Sequence, residues 1–347
     1  MIVYLGIYAS LCLASIAVPR QYSTFLLLIA GTFLIWFMGF RYEVGCDYYG
    51  YVNRWENFTP LTNLSGIFSQ SEIGFALLIG SVRAFGLGYT WLNVSASIIL
   101  VFCYIAFARK HRYGPLILAL LFPVIITQLG MSGLRQAIAG GFLMLAFNAI
   151  MFRQKGWAAV WILIGMQFHT SAVVFLPLAL LAGREVNTIR LTAALAVVGP
   201  VAAIFLADRM DVYNDRYIAQ IYGTQSSGGA IFRYALIALP VPFFVWYRKQ
   251  VSDKFPDVYP MLKLMAIMIV SLAPLVVFSS IALHRFNYYV MPGSILLCVY
   301  VGTVIFKKTY TGQLLALLMY GVYSLVWLLT SQHAHACYLP YQNTWLM

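Results

Sequence analysis

The chain has 347 residues, 62% of them apolar and only 9% charged, with a mean hydropathy of +0.83. A soluble domain is about half apolar, so a water-soluble globular fold is excluded. The net charge of +12 is accounted for by cytoplasmic Lys and Arg obeying the positive-inside rule, and no nucleic-acid partner is expected.

In chain order the apolar runs are 2–19, 24–40, 90–108, 114–128, 133–152, 157–168, 170–182, 191–207, 230–247, 261–282, 286–306 and 312–330. Many reach the roughly 17–25 residues a bilayer span needs. They predict an all-α, polytopic integral membrane protein with about twelve transmembrane helices, within a range of about eleven to thirteen. The short alternating strands of a membrane β-barrel are not seen. The first run starts at once and lacks a basic leader, so it reads as a span rather than a cleaved signal. Residues 1–330 are expected to form one transmembrane domain with outer-face loops 41–70 and 208–229, followed by a short extracytoplasmic tail, 331–347. The stretch 71–88 contains Glu72 and Arg83 and is expected to lie at the interface or re-enter rather than cross. Its start, "SQSE", fits a capping box running from Ser69 to Glu72.

Orientation follows from the basic loops "ARKHRYG", "FRQKG", "GREVNTIR", "YRKQVSDK" and "FKK". All five can lie in the cytoplasm if 157–182 is a helical hairpin turning near His169 and 71–88 does not cross. Every lysine is then inside, and the outer cations are all arginines: Arg41, Arg54, Arg83, Arg135, Arg209, Arg216, Arg233 and Arg285. Arginine's planar fork suits bidentate phosphate binding, so an anionic ligand presented from outside is expected. The outer acids are Glu43, Asp47, Glu56, Glu72, Asp208, Asp211 and Asp215. Among the five cysteines, Cys12, Cys46, Cys103, Cys298 and Cys337, no paired spacing indicates a metal or redox framework. Cys46 and Cys337 both fall outside, where a disulfide can form, although their spacing gives no reason to pair them.

Several polar positions interrupt this pattern. "GFRYEVGCDYYGYVNRWENF" carries five charges and five Tyr or Trp in twenty positions. It offers Arg41 for an anion, Asp47 as a base, and Tyr48 and Tyr51 for stacking on sugar rings. In "MSGLRQAIAG", Ser132 is placed to cap a helix, with Arg135 in its first turns beside Gln136. A helix N-terminus favours anions, which makes Arg135 a phosphate seat; the alternative is snorkelling or pairing with a carboxylate. His169, followed by Thr170, interrupts an apolar run. It reads either as a proton acceptor or as a histidine steadying a turn through a backbone carbonyl. "LHRFNYYV" places His284, Arg285 and Tyr288 at a helix start, as an interfacial anchor or as part of a site. The segment 208–229, with Arg216, reads as a solvated loop or a sugar-binding one. No D-x-D pair, Walker A, G-x-S-x-G or zinc spacing occurs, so neither metal nor cofactor is expected.

The ordered set "RYEVGCDYYGY", "SGLRQAIAGGFLMLAF", "QFHTSAVVFLP" and "HRFNYYV" resembles the EpsG-like branch of Wzy-type bacterial polysaccharide polymerases, over about 40–300. The tail after Ser331 adds nothing to the match. The resemblance implies a GT-C-like glycosyltransferase architecture in the bacterial cytoplasmic (inner) membrane, with the site facing the periplasm or exterior. It implies joining of undecaprenyl-diphosphate-linked oligosaccharide repeat units of O-antigen, capsule or exopolysaccharide, with donor and acceptor both lipid-linked and lipid diphosphate as the leaving group. A chain-length regulator and a flippase of the same pathway are the implied partners, besides the lipid bilayer. The implied catalytic residues are Asp47, His169 and Arg135. The match carries a site onto Arg41, Asp47, Arg135, His169 and Arg285, and the residues expected to bind substrate are Arg41, Tyr48, Tyr51, Gln136, Thr170, Arg216, His284, Arg285 and Tyr288. A flippase of lipid-linked oligosaccharide, or another polyprenyl-phosphate-dependent glycosyltransferase or ligase, is the alternative. A flippase lines its path with polar groups through the full membrane depth, whereas the charges here gather near one face.

Overall fold

The computed structural model describes residues 1–58, 72–181, 228–278, 280–306 and 309–346. Their elements are helical, and no strand occurs among the described residues; a lone antiparallel bridge joins Arg41 to Asn343. The helices are α1 (Ile2–Ala17), α2 (Ser23–Gly39), α3 (Tyr48–Glu56), α4 (Ile73–Ala84), α5 (Tyr89–Ala108), α6 (Gly114–Leu121), α7 (Leu134–Met151), α8 (Lys155–Phe168) and α9 (Leu176–Leu181). After the gap come α10 (Gly228–Ala238), α11 (Pro240–Trp246), α12 (Arg248–Lys254), α13 (Tyr259–Ser271), α14 (Leu275–Phe278), α15 (Ser280–Ile305), α16 (Thr309–Thr330) and α17 (Gln332–Tyr338). Seven helical stretches among the described residues are long and apolar enough to cross a membrane, and shorter apolar helices, α1, α4 and α8 among them, accompany them. The expected span 191–207 lies outside the described residues.

The centre of the bundle is α7, apolar all round, with 14 of its 18 residues buried. A helix with no polar face belongs inside a bundle rather than at its surface. Gly141 lets α5 approach closely, since a Cβ there would stand 3.0 Å from that of Cys103. α8 packs along α7 and ends at Phe168; His169 is extended, with φ −153°. A 3₁₀ turn (Thr170–Phe175) then leads into α9, which folds back on α8. The expected reversal at His169 is therefore present. α6 continues into a π-helical turn, Phe122–Leu129, every residue of which is buried. Its wide turn, closed by Gly130 N–H donating to the Ile125 carbonyl, carries Gln128. Such turns recur at functional sites.

The bundle has two chemically different ends. At one, Lys110 lies over the Phe152 ring, His111 bonds Asn148 and Tyr300, and Lys254 donates to the Thr303 carbonyl. These residues stand at the C-terminal ends of α5, α7 and α15 or just beyond helix ends. At the opposite ends of the same helices stand Asn93, Arg135 and Arg285. Lys110 and Lys254 thus stand at the end opposite Arg135 and Arg285.

α4 has 12 residues, about 18 Å at the helical rise, against a hydrocarbon core of about 30 Å. The capping box does not form as expected. Glu72 itself occupies the cap position of α4 and Ser69 lies outside the described residues. Ser132 makes no cap either: Gly133 occupies that position in α7, and the Ser132 hydroxyl turns to another partner.

Candidate functional site

Three segments of the chain converge on Glu72, through Arg54, Arg135 and His169. Its Oε1 accepts from Nδ1 of His169 at 2.8 Å. Its Oε2 is paired with Arg135 and lies 3.8 Å from Nη1 of Arg54. A buried carboxylate persists only when cations and donors surround it. Burial by itself would raise the Glu72 pKa; the hydrogen bond from His169 and the charge of Arg135 outweigh it and hold the carboxyl at about 2. Burial lowers His169 below the ordinary imidazole value, an effect Glu72 only partly offsets. The ring is therefore neutral, with the proton on Nδ1 donated to Glu72. Exposure separates the roles. The Glu72 side chain is 0% exposed, while those of Arg135 and Arg54 keep 34% and 32%. The cations reach outward and the carboxylate holds them from behind. Tyr51 completes the cluster by accepting the Arg135 backbone N–H at 3.3 Å, one of the donors that a helix start leaves without an internal partner.

Beside this cluster opens a cavity of about 870 Å³. Asp47, Ser132, Gln136, Gln128, Arg233, His284 and Tyr288 line its polar part. The Ser132 hydroxyl accepts the Asp47 backbone N–H at 3.2 Å, fixing the residue at the cavity wall. Asp47 is exposed and lines the cavity. Desolvation by the neighbouring protein raises its pKa above the ordinary carboxylate value, against the pull of Arg135 and Arg285. An accessible carboxylate tuned upward suits a general base. Gln136 donates to the Arg285 carbonyl at 2.9 Å and ties α7 to α15. Arg233, 4% exposed, donates to His284 Nδ1 at 2.9 Å and to Gln128 Oε1 at 3.0 Å, with its guanidinium 4.5 Å from the Tyr288 ring centre.

The tail is fastened over this cavity. Cys46, immediately before Asp47, is bonded to Cys337. Gly45 N–H donates to the Cys337 carbonyl at 2.7 Å, and Tyr338 hydroxyl donates to the Gln128 carbonyl at 2.7 Å. Gly45 adopts φ +108° with the Met131 carbonyl where a Cβ would stand, so only glycine fits. His333 lies 4.0 Å from the Cys46 sulfur and joins the cavity wall. Cys46, His333 and Cys337 place three metal-ligating atoms within 4.8 Å, but metal binding requires thiolates, and the disulfide uses both.

The residues singled out from sequence fall into distinct places. Asp47, Gln136, His284 and Tyr288 line the cavity, and Arg135 and Arg285 act electrostatically on Asp47. His169 bonds Glu72 rather than a backbone carbonyl, with Thr170 starting the following turn. Arg41 is 1% exposed and is not among the residues that line the cavity. It donates to the carbonyls of Met38 at 2.5 Å and Val44 at 3.1 Å and to Asn93 Oδ1 at 3.1 Å. Tyr48 is buried edge-on against Tyr42, Tyr49 and Tyr89. Arg216 and most of the loop 208–229 lie outside the described residues. Sequence reasoning did not single out Glu72 as the hub, nor Gln128, Arg233 or the tail as cavity wall. The signal for Glu72 was present: a carboxylate inside an apolar stretch requires a buried partner.

The EpsG family model matches residues 24–343, taking in the tail. Comparison with curated proteins and with solved structures gives no match. The chain belongs to the EpsG family of polysaccharide polymerase-type membrane proteins.

Proposed function

We propose that the protein joins lipid-diphosphate-linked oligosaccharide repeat units at the outer face of the bacterial cytoplasmic membrane, in a GT-C-like arrangement. The observation that carries this reading is the 870 Å³ cavity at the arginine end of the bundle, with Asp47 open to it and its pKa raised. A disulfide at the same end favours an oxidising compartment. The lysine end then faces the cytoplasm.

In the proposed reaction a sugar hydroxyl of the incoming unit attacks the anomeric carbon of the growing chain. The carbon–oxygen bond to the carrier diphosphate breaks, and the lipid diphosphate leaves with the bonding pair. Asp47 accepts the hydroxyl proton. Arg135 and Arg285 stabilise charge developing on the departing diphosphate. Glu72 and His169 act through Arg135 and hold its fork in place. Gln136, His284 and Tyr288 face the sugars, and Arg41, Tyr48 and Tyr51 keep the Asp47 segment in position.

The test is the surface polysaccharide of a deletion strain complemented with wild type or Asp47→Asn. Loss of the long ladder with single repeat units still displayed supports the polymerase. A normal ladder with Asp47→Asn removes Asp47 as base. Loss of every repeat unit, with lipid-linked units trapped inside, indicates the flippase instead.

A further inference from the structure

The reaction proposed above leaves Arg233 unused. Its guanidinium is buried beside the cavity and no carboxylate pairs with it among the described residues. Its partners are neutral: a histidine nitrogen, a glutamine oxygen and a tyrosine ring. The guanidinium is always protonated, so His284 Nδ1 is the acceptor and a neutral ring carries its proton on Nε2. Arg233 Nε and Gln128 Nε2 are buried with no hydrogen-bond partner. An uncompensated buried charge is costly, and a guanidinium whose residue lines a cavity, with no carboxylate to neutralise it, fits a phosphate there.

The cavity is apolar next to this cluster. Phe232, Leu236 and Leu239 of the α10 segment face Met319, Val322 and Val326 of α16 across it. Phe232, Leu239, Val322 and Val326 are exposed on the outside of the bundle, where a membrane protein meets lipid. A phosphate seat with an apolar slot leading to the bundle surface fits an amphiphile better than a free anion. We propose that Arg233, Gln128 and His284 form a second phosphate seat, separate from the Arg135 side, for a lipid phosphate whose chain lies between α10 and α16. This rests on the polymerase reading in one respect: the lipid is taken to be the carrier of the acceptor unit.

The experiment is native mass spectrometry of the purified full-length protein in detergent, titrated with a long-chain polyprenyl monophosphate, phosphatidylglycerol or inorganic diphosphate. Wild type is expected to take up the polyprenyl phosphate at least tenfold more tightly than the other two. Arg233→Gln and the slot-blocking Val322→Trp should each lose that preference, while Asp47→Asn keeps it. Arg233→Lys, which retains the charge, serves as the folding control and should bind more weakly than wild type but above Arg233→Gln. Unchanged binding by Arg233→Gln overturns the seat. Equal uptake of phosphatidylglycerol overturns the carrier assignment, and inorganic diphosphate binding as tightly as the lipid overturns the slot. Because binding is read without polymer, loss of every repeat unit in the deletion strain defeats the polymerase reading and leaves this result standing.

Discussion

Glu72 and Asp47 are two carboxylates at the same end of the bundle with opposite tuning. Glu72 is held ionised by its partners, so removing Arg135 leaves a fully buried charge with only His169 and the more distant Arg54. Arg135→Ala is expected to lower stability by about 2–4 kcal/mol, toward the lower side of the range for breaking a buried pair. Glu72→Gln should cost less, about 1–2 kcal/mol, because the freed arginines reach solvent. Thermal melting of both variants in detergent checks the order. Asp47 is the reverse case. Its raised pKa means that the ionised form is disfavoured by the fold, so Asp47→Asn should leave the melting temperature unchanged or higher while abolishing polymer. The acid limb of the activity profile should lie above the ordinary carboxylate range. Stability has the opposite dependence on Glu72. Its folded pKa of about 2 lies below the ordinary 4.5, so the unfolded chain binds more protons between these values. Glu72's contribution is fully present above 4.5 and is lost as pH falls toward 2. His169, lowered from 6.5, acts in the same direction at higher pH. A melting series from pH 7 downward should therefore decline from near 6.5 onward.

At the scale of the element, Arg41 does the work of a cap. The last carbonyls of a helix have no internal donors, and this guanidinium donates to Met38 near the end of α2 while reaching Val44 and Asn93. Arg41→Gln should cost about 1–3 kcal/mol, since several buried acceptors lose a charged donor, and melting again measures it. The position also shows how far sequence reaches. Apolar runs were legible because hydropathy is local, and the turn at His169 was legible because polar residues interrupt such a run. The direction of the Arg41 side chain was not, because an arginine between a span and a tyrosine-rich loop can point to ligand or to backbone. Glu72 reads as a helix cap in one dimension. Its pairing with Arg135 and His169, 63 and 97 residues away, exists only after the bundle forms. Gln128 was hidden for another reason: only the π-turn in α6 brings this residue of an apolar run to the cavity.

For the molecule as a whole, the confinement of the named lysines to one end gives an orientation that a fusion can read. A reporter placed after Lys110 should be active in the cytoplasm. An outside signal there would invert the bundle and put the Asp47 cavity on the wrong side for the proposed substrate. The bond between Cys46 and Cys337 has a different consequence. Their separation of 291 residues makes most of the polypeptide a closed ring, with α1 and α2 preceding it. A protease site inserted between Arg153 and Lys155, at the turn from α7 to α8, should therefore be cleavable without releasing a fragment. The nicked protein should run as one covalent species until reductant is added and then as two. For this membrane protein, a break in the backbone and a loss of connectivity would be separate events.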